Sequence, residues 1–121
     1  MITLAQLEEF FVETRRTYEA GRSNWKIDEE CRWSYFFVDG DRAKLLRIVG
    51  HPALSDYEFI GTLDPNPSDE NPVFYLRLDR VETHSPASLD ERHQLLYGIA
   101  AQFGVLDYDG FDVGALEGPA A

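Results

Sequence analysis

Apolar and polar residues recur along this chain with two different periods, and the switches between them mark out its elements. Leu4, Leu7, Phe10/Phe11, Thr14 and Tyr18 fall at helical spacing behind a Thr3/Gln6 capping-box signature, and Gly21 ends the run; an amphipathic helix is expected over about 3–20. "GRSNWKIDEEC" mixes turn formers with charges and reads as a connector. The aromatic run "RWSYFFV", closed by Asp39-Gly40, predicts a buried strand. Asp41 can cap the short helix "RAKLLRIVG", whose Ala43, Leu45, Leu46 and Val49 make one apolar face before Gly50 and Pro52 stop it.

"YEFIGTL" (57–63) and "VFYLRLDRVE" (73–82) are strand-like runs joined by "DPNPSDENP", whose prolines exclude regular structure, so they form a hairpin with a long polar loop. In the second run Phe74, Leu76 and Leu78 share one face while Tyr75, Arg77 and Asp79 share the other, the alternation of a sheet covered on one side. Ser85 with Pro86, or Ser88 with Glu91 one turn later, starts a helix. Its stripe is Leu89, Leu95 or Leu96, Ile99 and Phe103, and it runs to Gly104. "YDGFDV" supplies a brief last strand, with Asp109-Gly110 turning the chain into it and Tyr108 packed beneath; "GALEGPAA" reads as a frayed tail. The order is βαββαβ after an extra helix. That predicts an α+β fold: a ferredoxin-like split βαβ antiparallel sheet with helices on one face, preceded by an N-terminal helix. A single domain, 1–121, is expected, with the helix over about 3–20, the core over about 32–114 and the tail over 115–121.

With 121 residues, 44% of them apolar, the chain can bury one core without a disulfide or structural metal. The lone Cys31 has no internal partner, Glu8 and Glu9 interrupt any apolar leader, and no window is apolar enough to span a bilayer, so a cytoplasmic protein is expected. The formal charge is −11, with a balance of −3 over residues 1–60 and −8 over 61–121. Such a field disfavours direct contact with nucleic acid or anionic lipid and favours basic protein surfaces.

Candidate chemistry narrows this little further. "DYDGFD" resembles the start of a calcium loop, but with Gly110 at the sixth position the first ligand would be Val105 and the twelfth Leu116, neither of which supplies a side-chain oxygen. His51, His84 and His93 lack metal-binding spacing, and Cys31 lies beside Asp28, Glu29 and Glu30, which raise a thiol pKa. His84, between a strand and a helix start, suits a structural role bonding nearby backbone groups. There is no GxGxxG, P-loop or GxSxG, so neither cofactor nor catalytic residue is assigned.

The run "YLRLDRVETHSPASLDERHQLLYGIAAQFGVLDYDGFDVG" (75–114) resembles the C-terminal half of the ribonuclease E inhibitor RraB family, through Leu96, Ala100 and Phe103 on the helix, then Tyr108, Asp109, Gly110 and Phe111. The aromatic strand, short helix and "YEFIGTL" match in order and character. The resemblance implies a small acidic cytoplasmic bacterial protein with a ferredoxin-like sheet that binds ribonuclease E, alters RNA decay and catalyses nothing itself.

The expectation is therefore a non-catalytic regulator presenting Asp64, Asp69, Glu70, Asp107, Asp109 and Asp112 to a basic protein surface, that of ribonuclease E or another nuclease, with Trp25 and Tyr75 adding apolar contact. The alternatives are an immunity or antitoxin-type inhibitor of a basic nuclease, and a small metal-binding protein or enzyme built on the aspartates.

Overall fold

The computed structural model describes residues 1–117; residues 118–121 of the expected tail lie outside them. Four strands, β1 (Cys31–Asp39), β2 (Glu58–Leu63), β3 (Phe74–Glu82) and β4 (Asp107–Gly114), form one sheet in the order β2-β3-β1-β4. Every neighbouring pair is antiparallel. With the helices α1 (Leu4–Glu19), α2 (Arg42–Ile48) and α3 (Pro86–Phe103), this is the split βαβ arrangement behind an N-terminal helix.

Alternation along β1 decides where the core sits. Trp33, Tyr35 and Phe37 are fully buried on one face, opposite Leu76 and Leu78 of β3 and Tyr108 and Phe111 of β4. Helices cover that face: Phe11 of α1 stacks on Trp33 at 6.2 Å, Leu45 and Ile48 of α2 are buried, and α3 contributes Leu89, Leu96 and Ile99. Arg32, Ser34, Phe36 and Val38 alternate onto the other face, to which the cross-strand register also assigns Tyr75, Arg77 and Asp79.

The caps follow the sequence. Thr3 and Gln6 close a capping box on α1, and Asp41 accepts from the Ala43 N–H at 2.9 Å to start α2. Ser85, with Pro86 at N1, caps α3; its reciprocal partner is Ser88, so the later Ser88/Glu91 start is not used. Gly104 ends α3 in the left-handed region at φ 65°, where a side chain would be strained.

Two readings need correction. The inward face of α2 is Leu45 and Ile48, with Leu46 only partly buried and Ala43 exposed, because a seven-residue helix turns its i, i+3 pair to the sheet. Asp109-Gly110 is not a turn into a strand: β4 already runs from Asp107, and Asp109 is the extra residue of a bulge between the pairs Phe37↔Tyr108 and Phe36↔Gly110. Gly110 takes φ 107° there, a conformation that favours glycine. Among the described residues no helix is long and apolar enough to cross a membrane.

Candidate protein-contact surface

The uncovered face is read most simply as rows across β2, β3, β1 and β4. The first row is Leu63, Tyr75, Val38 and Asp107; the next is Gly61, Arg77, Phe36 and Gly110; the third is Glu58, Asp79, Ser34 and Asp112. One end of this face thus carries Leu63, Tyr75 and Val38 with Asp107 at its edge, and the middle is ionic. Asp79 is nearly buried although, among the described residues, no helix covers it, because two guanidiniums do. Arg77 donates to both its oxygens at 2.9 Å, and Arg32 donates to it at 3.1 Å while also reaching Glu58 at 3.0 Å. Burial opposes the Asp79 charge, but bonds from Arg77, Ser34 and Arg32 hold its carboxyl below the usual range. Beside the cluster a shallow concavity of about 250 Å³ is bounded by Ser34, the two arginines and Asp112.

On the helix side a second polar network joins β3 to α3. Arg92 grips Glu82 with two bonds, 2.8 and 3.0 Å; the Tyr35 hydroxyl donates to the same carboxylate at 2.7 Å and lies 3.0 Å from His84 Nε2. His84 Nδ1 lies 2.9 Å from the Ser88 hydroxyl, so this imidazole is structural, with side-chain partners instead of the backbone groups expected. Burial works against the Glu82 charge, yet the bonds from His84, Arg92 and Tyr35 outweigh it and hold the carboxyl at about 2. His93 is fully buried with Nδ1 2.8 Å from the Tyr108 hydroxyl, and burial first, then nearby His84, lowers it from 6.5 to about 4. Glu82, Arg92, Tyr35, His84 and Ser88 are bonded to one another and fasten α3 to β3, while His93 ties α3 to β4 through Tyr108 and keeps a buried Nε2 without a partner among the described residues. Burial, then Glu29 and Asp28, raises the Cys31 thiol, and its Sγ lies 3.1 Å from the Lys26 carbonyl.

Antiparallel register gathers most of the sequence-derived contact residues at one end of the sheet. The C-terminal end of β2, the start of β3, the end of β1 and the start of β4 coincide there. Asp64 and the loop carrying Asp69 and Glu70 leave from this end, Asp107 and Asp109 begin β4 there, and Tyr75 lies beside them on the open face. All five carboxylates are on exposed residues. Asp109, though exposed, is crowded enough that burial, with Asp107 adding to it, raises its carboxyl. Asp112 stands two rows away, in the ionic row. Trp25 belongs to the connector before β1, at the opposite end, and packs half-buried against the core. The carboxylates do not converge: among the described residues no group of three His, Cys, Asp or Glu side chains is placed to hold a metal.

Alternation places Arg77 and Asp79 on the outer face but carries no sign of their closure by Arg32, which is 47 residues from Asp79. Nor does it show that Phe59, Ile60 and Leu63 are 45%, 43% and 54% exposed on β2; a run of apolar residues looks the same whether its strand is central or at an edge.

No curated protein shows significant similarity to the chain. The profile of the family described as Regulator of ribonuclease activity B matches residues 12–113, from within α1 through β4. That span takes in the sheet but for Gly114, α2, α3 and both polar networks, and on it the chain belongs to the RraB family, the regulators of ribonuclease activity.

Proposed function

We propose that the protein regulates an RNase E-type ribonuclease by direct protein contact, without chemistry of its own, using the acidic end of its sheet against a basic surface of the enzyme or its RNA-decay assembly. The family match over residues 12–113 carries this reading. The distribution of ionisable groups supports it. Glu82, Arg92 and His84, largely covered, are spent on internal bonds, while Asp64, Asp69, Glu70, Asp107 and Asp109 are exposed at one end of the sheet. Exposed charges speed and orient encounter more than they add affinity. Apolar contact from the half-buried Tyr75 beside them on the open face completes the surface.

The test is an RNA-cleavage assay with purified RNase E-type ribonuclease and increasing amounts of the protein. Cleavage should change saturably with the ratio of the two proteins, and the protein alone should cleave no RNA. Unchanged cleavage at saturating protein, or cleavage by the protein alone, contradicts the reading.

A further inference from the structure

We propose that the outer edge of β2 is a docking strand that takes an extended, cationic segment of a protein partner by strand addition. This deepens the reading above and rests on it only for the partner being a ribonuclease. β2 is an edge strand, bonded to β3 on one side, and among the described residues the backbone of 58–63 makes no hydrogen bond outside the sheet. A free edge is a template for pairing, and proteins commonly guard it with charge. β4, the other edge, is guarded in this way, with Asp107, Asp109 and Asp112 exposed along it and a bulge at Asp109. β2 instead exposes Phe59, Ile60 and Leu63. Its one charged residue, Glu58, is drawn onto the open face by Arg32 at 3.0 Å. A bulge at Ile60 twists β2 without covering it.

Charge selects the occupant. Asp56 and Asp64, both exposed, bracket the strand. A second copy pairing antiparallel through β2, Ile60 opposite Ile60, would set Asp56 of each chain against Asp64 of the other, so like charges meet at both ends. An extended segment with β-branched residues at alternate positions and Lys or Arg at its ends meets opposite charge at both. Main-chain bonds would supply affinity, and the alternating side chains and basic ends specificity.

The probes are a short synthetic peptide of alternating valine and threonine with lysines at each end, and the same peptide ending in glutamates. The lysine peptide should bind the full chain and slow hydrogen exchange at residues 58–63. The double variant Ile60→Lys/Leu63→Lys, at two exposed positions, should fold normally and weaken that binding by about tenfold or more. Protection elsewhere, equal binding of the glutamate peptide, or unweakened binding by the variant overturns the proposal. So does a concentration-dependent dimer that the double variant abolishes, because it would make a second copy the occupant. A ribonuclease that binds wild type and variant equally sinks the edge and leaves the regulatory reading standing; a β2 that takes the lysine peptide in a protein no ribonuclease recognises does the reverse.

Discussion

At the scale of single residues, the stability of the chain depends on which charges are buried. Glu82 and Arg92 have side chains only 12% and 17% exposed, so removing the arginine leaves a largely covered carboxylate with Tyr35, His84 and only the more distant Arg80 guanidinium, at 3.6 Å. Arg92→Leu should cost about 3 kcal/mol in urea unfolding, whereas Arg15→Ala, which breaks the mostly exposed pair with Asp28, should cost less than about 1 kcal/mol. Equal losses would show that the Glu82 network is not the stronger fastening. Glu82 itself is held below its unfolded value, so its contribution is present above pH 4.5 and lost as pH falls toward about 2. His93 acts in a different window. Its folded value is about 4 against 6.5, so between these the unfolded chain binds the extra proton and stability falls as pH is lowered, by at most about 3 kcal/mol in total. Urea midpoints at pH 7 and pH 5 should therefore converge in His93→Phe relative to wild type. An unchanged difference would place the pH sensitivity elsewhere.

At the scale of elements, α1 belongs to the core although the family span begins inside it. Phe11 is fully buried against Trp33, and Phe10 meets the Phe111 ring edge-on at 5.2 Å. Phe11→Ala should lower unfolding stability by about 3–5 kcal/mol, and Ser85→Ala, which removes the α3 cap, by about 1 kcal/mol. A near-neutral Phe11→Ala would mean that α1 is only loosely docked. Both features could be read from the chain, since capping boxes and helical spacing are local. What stayed hidden was relational. The bulge at Asp109 depends on β4 matching two residues to one of β1, and the exposure of Phe59, Ile60 and Leu63 depends on β2 being last in the sheet. Period-two alternation reports faces, not neighbours.

For the whole molecule, the excess negative charge of residues 61–121 becomes a place. The sequence shows Asp64, Asp69 and Glu70 far from Asp107 and Asp109, and only the antiparallel order brings the β2–β3 loop and the start of β4 to one end. The same order removes Trp25 and Asp112 from that group, so five of the six proposed carboxylates lie at one end of the sheet with Tyr75 as the aromatic beside them. Long-range electrostatic steering is the expected consequence, because clustered exposed charge raises association rates and is screened by salt. The most direct measurement is the association rate of the protein with an RNase E-type ribonuclease across a range of salt, for wild type and for a variant with Asp64, Asp69, Asp107 and Asp109 changed to Asn and Glu70 to Gln. The wild-type rate should fall steeply as salt rises, and the variant should associate about tenfold more slowly at low salt with a nearly flat salt dependence. Equal rates for the two proteins at every salt concentration, or no association at all, would contradict the account.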